Sequence, residues 1–172
     1  MGTSYDFHND FVKNFVELNY CKHDIILDIG AGAGKYGKMF NPNFHIEALE
    51  VFEPNITNHN LRYFYKEVFN VDARTFPYLP NYYSLAIMGD VLEHLYVQDA
   101  KKVLESIYNA GIDCLVLVPY EYEQDILYGN EAEIHHQPDL TPEVFKSRYP
   151  EFNLIHGNNL QGVYFRKGKK IE

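Results

Sequence analysis

The chain has 172 residues, a formal net charge of −9 and 46% hydrophobic residues, among them 12 Phe and 15 Tyr. This length suits a single domain, expected to span residues 1–172, and the composition can build a sizeable core, which argues against disorder. The negative charge repels phosphate backbones, so general binding of DNA or RNA is disfavoured.

Cysteine content and hydropathy argue against a disulfide-stabilised protein, a cysteine metal site and a membrane protein. Cys21 and Cys114 provide neither a disulfide framework nor the spacing of metal ligands. No apolar stretch reaches the roughly 18 residues that a membrane helix needs. Residues 1–10 are polar and acidic and do not resemble a signal peptide. We therefore expect a cytoplasmic protein without a membrane segment.

Helical and strand patterns alternate through most of the chain. Apolar residues three and four apart predict an amphipathic helix from about Tyr5 to Tyr20, within an N-terminal segment 1–22. Asn41-Pro42 is expected to end the second helix, and Gly111 a later one. Short apolar runs predict buried strands at Ile25–Ile29, Phe44–Glu50, Val68–Val71, Tyr83–Met88 and Ile112–Val118. This alternation is typical of a parallel sheet with helices on both faces.

The pattern changes in residues 119–150, which begin with a polar stretch rich in Tyr, Glu and His. A short helix is predicted to follow Thr141, a favourable N-cap residue. Two strands, Phe152–Ile155 and Val163–Phe165, then predict an antiparallel hairpin within residues 151–172.

The first strand leads into the glycine-rich turn Asp28–Gly34. Glycines allow a tight turn and a close approach of ligand to backbone, and a helix start offers free N–H groups. A phosphate-binding P-loop would need glycine at Ile29 and Ser or Thr at Tyr36, so it is excluded. The stretch Gly32–Gly37 does satisfy G-x-G-x-x-G, and Glu50 lies near the expected position of a ribose carboxylate. An NAD-dependent oxidoreductase is therefore one alternative.

Asp28 favours another ligand, because a carboxylate at the strand end would repel a pyrophosphate but suits the ammonium of a methionine moiety. The turn resembles motif I of the class I S-adenosylmethionine (SAM)-dependent methyltransferases. Glu50 and Asp72-Ala73, at the ends of the second and third strands, match that family's acidic positions. Asp90–His94 resembles the D-V-L-E-H motif of a large subgroup. The resemblance covers residues 23–118, the expected SAM-binding core.

This resemblance implies an α/β fold, a Rossmann-like three-layer sandwich whose seven-stranded sheet is mostly parallel with an antiparallel last strand. It implies SAM as cofactor and S-adenosylhomocysteine (SAH) as product. Glu50 would accept from both ribose hydroxyls, and Asp72 from the adenine amino group. The implied cofactor-binding residues are Asp28, Gly30, Ala31, Gly32, Gly34, Glu50, Val51, Asp72, Ala73, Asp90 and Val91.

Methyl transfer needs alignment and a dry site, and it needs a base where the acceptor is a hydroxyl or a protonated amine. The candidates for catalytic residues are His94, His135 and His136. His94 has the alternative role of shaping the pocket wall. The other two lie in residues 128–136, which loosely resemble a stretch of methyltransferases thought to act on sugars or other small metabolites; a polar surface loop is the alternative.

Three further expectations complete the sequence prediction. Glu131, Glu133, His135 and His136 lack the spacing of metal ligands, so no metal site is expected. The predicted reaction is methyl transfer from SAM to an oxygen or nitrogen of a small-molecule acceptor, with a saccharide as one candidate. A non-catalytic SAM-binding regulatory module is a second alternative to this enzyme. The oligomeric state stays open, because a domain this small could use the surface of a partner subunit to close its binding site.

Overall fold

A computed structural model describes residues 6–127 and 129–170 of the chain. Seven strands form one sheet in the order β3-β2-β1-β4-β5-β7-β6. The strands are β1 (Ile25–Ile29), β2 (His45–Leu49), β3 (Glu67–Phe69), β4 (Leu85–Gly89), β5 (Asp113–Pro119), β6 (Asn153–Gly157) and β7 (Gln161–Arg166). The helices are α1 (Asn9–Asn19), α2 (Lys35–Phe40), α3 (Glu53–Asn58), α4 (Leu61–Phe64), α5 (Val97–Asn109) and α6 (Pro142–Arg148), with 3₁₀ helices at Leu92–His94 and Glu131–Glu133.

Strands β1 to β5 run parallel, and β7 pairs antiparallel with both β5 and β6. The mostly parallel, seven-stranded Rossmann-like sheet predicted from the sequence is thereby confirmed. In the register, Ile29 of β1 pairs with Leu49 of β2 and with Met88 of β4. The strands therefore end together, and the residues that follow them meet at one edge of the sheet.

The sheet is covered on both faces, because successive side chains of a strand point to opposite sides. Leu27 and Ile29 of β1 belong to the core beneath α5 and α6. Ile26 belongs to the other core, which Val12 and Val16 of α1 complete together with residues of α2 and α4. Strand β5 is buried along its whole length, as expected of a strand with a layer on each face.

The predicted helix boundaries agree well with the structure. Helix α2 ends at Phe40, just before Asn41-Pro42, and α5 is followed by Gly111 with a positive φ of 78°. Thr141 caps α6 by accepting a hydrogen bond from the backbone N–H of Val144 at 3.2 Å. Helix α4 was not predicted, since its four residues are too few to show a period.

Several predicted boundaries differ by a few residues from those in the structure, among them those of the N-terminal helix and of the third strand. The N-terminal helix was predicted to begin near Tyr5, which lies outside the described residues; among those described, α1 begins at Asn9. The third strand was predicted to reach Val71 but ends at Phe69. There the Asn70 side chain donates to the carbonyl oxygens of Glu50 and Val51 at 2.8 and 3.1 Å, which takes the chain out of the sheet. In the described part of the chain, no helix is both long and apolar enough to cross a bilayer.

Candidate functional site

A cavity of about 400 Å³ opens at the carboxyl ends of the parallel strands. One wall consists of residues that follow β1, β2, β3 and β4, and the opposite wall of residues 119–136. Of the predicted site residues, those that line it are Gly30, Gly32, Glu50, Val51, Asp72, Ala73, Asp90, Val91, His94, His135 and His136. The predicted site residues outside the lining are Asp28, Ala31 and Gly34.

The glycine turn requires glycine for its backbone and for its surroundings. Gly30, Gly32 and Gly34 have φ of 74°, 50° and 79°, a region that favours glycine. A Cβ on Gly30 would lie 2.5 Å from Cγ2 of Val91, so that side is filled. A Cβ on Gly32 would meet only the Gly30 carbonyl oxygen, at 3.9 Å. The Gly32 backbone is therefore open to a ligand in the cavity.

Glu50 holds the turn and the next loop together. Its Oε2 accepts from the backbone N–H of Gly32 at 2.7 Å, and its Oε1 accepts from that of Phe52 at 2.8 Å. Burial raises the pKa of this carboxyl group, and the two N–H donors oppose the shift by stabilising the carboxylate. Each oxygen retains further lone-pair capacity for a hydroxyl donor.

Asp28 points away from the cavity. It lies in β1 between Leu27 and Ile29, so its side chain faces the layer of α2 and α4 rather than the strand end. The Tyr65 hydroxyl donates to its Oδ2 at 2.5 Å, and the backbone N–H of Gly37 donates to the same hydroxyl at 3.0 Å. Burial raises the pKa of Asp28 to about 7. Its contact with a cofactor stays a prediction.

Asp72 lies at the cavity beside β3 and is paired with Arg74. The Arg74 guanidinium donates Nε–H to both carboxylate oxygens at 2.9 and 3.0 Å, and a terminal N–H to Oδ2 at 2.5 Å. This pairing holds the pKa of Asp72 below its usual range. Ala73 follows it, and the Tyr78 hydroxyl donates to its carbonyl oxygen at 3.0 Å, which fixes the backbone there.

Asp90 follows β4 with a positive φ of 55°. Its Oδ1 accepts from Nε2 of Gln161 at 2.5 Å, and Gln161 lies fully buried at the start of β7. The ring of His8 contacts the Gln161 carbonyl oxygen through Nε2 at 3.3 Å. The carboxylate is therefore positioned by the C-terminal hairpin, and it does not cap α5, whose N-cap residue is Tyr96.

The 3₁₀ helix after Asp90 is joined to the opposite wall. The Glu93 carbonyl oxygen accepts from the backbone N–H groups of His136 and Gln137 at 2.8 and 3.1 Å. The Gln137 side chain donates to the carbonyl oxygens of Leu92 and Leu95, each at 3.0 Å. These bonds bring the two sequence-distant parts of the predicted acceptor site together.

The three candidate histidines lie on this wall. The rings of His94 and His135 meet edge to face, with centroids 4.6 Å apart, and the His136 ring stacks on Tyr96 at 3.9 Å. Burial, with a smaller contribution from His135, lowers the pKa of His94 to about 4. Burial also lowers the pKa of His135. Both imidazoles are therefore neutral near pH 7.

Several residues of the site were missed by sequence reasoning. Tyr65, Asn70, Gln137 and Gln161 each hold a site residue or a neighbouring loop through a side-chain hydrogen bond. Tyrosine, asparagine and glutamine are common surface residues, and no spacing pattern distinguishes these four. Their roles depend on contacts across the chain, the longest of which joins residues 71 positions apart.

Neither a family model nor a curated protein matches this chain. Solved structures do resemble it. A SAM-dependent methyltransferase from Clostridium acetobutylicum ATCC 824 has a TM-score of 0.69 at 11% identity, covering 98% of this chain and 94% of that one. Another from Archaeoglobus fulgidus has a TM-score of 0.64 at 16% identity, covering 92% and 94%.

The N-terminal domain of EvdMO1 with SAH bound has a TM-score of 0.64 at 12% identity, covering 96% of this chain and 82% of that one. Identities this low establish the architecture of the sheet and its covering helices. The chain has the Rossmann-like fold of SAM-dependent methyltransferases.

Proposed function

We propose that this protein is a SAM-dependent methyltransferase that acts on an oxygen or nitrogen of a small-molecule acceptor. The observation that carries the proposal is the placement of Glu50. Its carboxylate lies at the cavity edge, held by the Gly32 N–H, beside a glycine turn whose backbone is open to a ligand. This is where a nucleoside with free ribose hydroxyls would be bound in an open α/β sheet.

The cavity fits SAM in size and in charge. Its volume falls within the range of about 300–1,000 Å³ typical of small-molecule sites. Apart from histidines, its charged lining side chains are six acids and one cation, namely Glu50, Asp72, Asp90, Glu93, Glu131, Glu133 and Arg74. Such a lining favours a sulfonium and an ammonium, and it opposes the pyrophosphate of NAD.

The chain's own residues would hold the cofactor in three parts. Glu50 would accept from the ribose hydroxyls, the backbone at Gly30 and Gly32 would contact the methionine part, and Asp72-Ala73 would contact the adenine. SAM supplies the electrophilic methyl group when bound. The protein's contribution is then to align the acceptor with that methyl group and to keep water out.

The acceptor would lie between the 3₁₀ helix Leu92–His94 and residues 119–136. The aromatic rings of Tyr96 and His136 provide a flat apolar surface there, and His94 and His135 provide neutral imidazoles. This mixture suits a ring-shaped, hydroxylated acceptor, for which a saccharide is the proposed class. The net charge of −9 and the acidic lining of the cavity support a small molecule over a nucleic acid.

Titration calorimetry with SAM, SAH and NAD tests the cofactor directly. Binding of SAM and SAH without NAD is expected, and binding of NAD alone would overturn the proposal in favour of an oxidoreductase. The activity is then tested by release of SAH from SAM in the presence of a panel of saccharides, phenols and amines. SAM binding with no SAH released above background by any compound would favour the non-catalytic module.

A further inference from the structure

Glu93 is buried without the partners that a buried carboxyl group needs. Its exposed fraction is 1%, and neither carboxylate oxygen lies within hydrogen-bonding distance of a donor from another described residue. An isolated buried carboxylate is costly, and buried polar atoms in native proteins nearly always have a partner, which can be an ion. A cation bound beside Glu93 at the cavity wall would supply the missing partner.

Two imidazoles beside Glu93 contact carbonyl oxygens through Nδ1, an arrangement common among metal-binding histidines. Nδ1 of His94 faces the carbonyl oxygen of Ile134 at 3.3 Å, and Nδ1 of His135 faces that of Tyr122 at 2.7 Å. Because a carbonyl oxygen only accepts, the tautomer with the proton on Nδ1 suits both contacts, and it leaves a lone pair on Nε2. Metal-binding histidines are usually oriented through such a bond from the second ring nitrogen.

We propose that Glu93, His94 and His135 form a binding site for a divalent first-row metal ion such as Zn²⁺ or Fe²⁺. One ligand atom from each of the three residues lies within 4.8 Å of the others. Around a tetrahedral ion with bonds of about 2.1 Å, ligand atoms are about 3.4 Å apart, a separation that small side-chain rotations reach. Two imidazoles and one carboxylate favour a transition-metal ion over Mg²⁺, which prefers oxygen ligands.

This set of ligands differs from the one considered in the sequence analysis. Spacing argued against a site formed by Glu131, Glu133 and the adjacent histidines. The structure instead places His135 beside Glu93 and His94, more than 40 positions earlier in the chain. A site whose ligands come from two distant segments has no local spacing pattern, so it was not expected from the sequence.

The ligand-bearing segments are held together by the polypeptide itself. The Glu93 carbonyl oxygen accepts from two backbone N–H groups of the opposite wall, and Gln137 donates to the carbonyl oxygens on either side of the Glu93–His94 pair. All three proposed ligands belong to residues that line the cavity, so the proposed ion would lie at the cavity wall. If the proposed function holds, an acceptor oxygen has room to coordinate there.

The test is titration of chelator-treated protein with Zn²⁺, and with Co²⁺ as a spectroscopic probe, in the absence of SAM. We expect one ion per chain and visible Co²⁺ absorption bands of a site with nitrogen ligands. Glu93→Gln and His135→Ala should each weaken binding by about 100-fold or more, since loss of an outer partner alone costs 10–100-fold. His136→Gln is the matched control and should retain the wild-type affinity for the ion.

Absence of stoichiometric Zn²⁺ or Co²⁺ binding by the wild-type chain would overturn the site. Equal affinities of the wild type and Glu93→Gln for Zn²⁺ would also overturn the metal site. In that case Glu93 would be a buried, protonated carboxylic acid. If the variants fail to fold, protection of His94 and His135 from diethylpyrocarbonate by Zn²⁺ in the wild type answers the same question. SAM binding is measured separately, so failure of the metal site and failure of the proposed function are distinguishable.

Discussion

Replacing Glu50 with alanine should separate cofactor binding from the rest of the fold. The carboxylate is proposed to accept from two ribose hydroxyls, and their loss should weaken SAM binding by on the order of 2–4 kcal/mol. This corresponds to a rise in Kd of roughly 30- to 1,000-fold. The variant also leaves the N–H groups of Gly32 and Phe52 without their acceptor, so it should be less stable than the wild type.

Titration calorimetry at a temperature well below the unfolding transition measures the affinity, and thermal unfolding without ligand measures the stability. Glu53→Gln is the matched control, because Glu53 lies three residues on, is exposed and does not line the cavity. Glu50→Gln should fall between wild type and Glu50→Ala, since an amide retains one acceptor oxygen. A folded Glu50→Ala protein with wild-type SAM affinity would refute the assignment and leave Glu50 a structural role.

Three further changes test the framework around the site, each by chemical denaturation. Gly30→Ala should cost ~2–4 kcal/mol of unfolding free energy because of its positive φ and its contact with Val91, whereas Gly129→Ala, with a similar φ and open space, should cost ~1–2 kcal/mol. The carboxyl group of Asp28 has a pKa of about 7 in the folded protein and 3.8 in the unfolded chain. The folded state therefore binds the proton more tightly, and the unfolding free energy of the wild type should fall by at most about 4 kcal/mol as the pH rises from 3.8 to above 7. Asp28→Asn should lack this fall. Gln137→Leu should cost about 2–4 kcal/mol of unfolding free energy, because the buried Leu92 carbonyl and the partly buried Leu95 carbonyl lose their donor. Equal costs for the two glycine variants would contradict the close contact of Gly30 with Val91. A parallel pH dependence of Asp28→Asn and wild type would contradict the burial of Asp28. An unchanged stability of Gln137→Leu would contradict its hydrogen bonds to the two carbonyl groups.

The cofactor side of the cavity was predictable because each of its parts is local in sequence. A short apolar run predicts each parallel strand, and parallel strands end at the same edge of the sheet. Glu50 ends such a run, and Asp72 and Asp90 follow theirs by one and two residues, so their convergence at the cavity needs only the strand order. The strand ends were predicted less closely: β1 has its predicted bounds, and the ends of the other strands lie one or two residues from the predicted positions.

The acceptor side was predictable only as a set of candidates. His94 lies near a strand end, but His135 reaches it because residues 119–137 fold back onto the 3₁₀ helix Leu92–His94. That return depends on Gln137 and on backbone bonds to the Glu93 carbonyl oxygen, for which no sequence pattern exists. From the sequence, Glu93 was assigned only to the D-V-L-E-H motif. Its burial without a hydrogen-bond partner is what marks it as a candidate ligand, and that burial is visible only in the structure.

Asp28 supplied the main physical argument for SAM in the sequence analysis, yet its side chain does not line the cavity. The sequence argument preferred SAM over NAD because an acid at the end of β1 would repel a pyrophosphate. In the structure the alternation of the strand turns that side chain towards Tyr65, away from the cavity. The same electrostatic preference nevertheless holds for the cavity as a whole, because the acids on its walls outnumber its single arginine, and Asp72 already pairs with that arginine. If the proposed function holds, we therefore expect the discrimination between a cationic and an anionic cofactor to be distributed over several acids of the cavity walls, and no single substitution among them should reverse it.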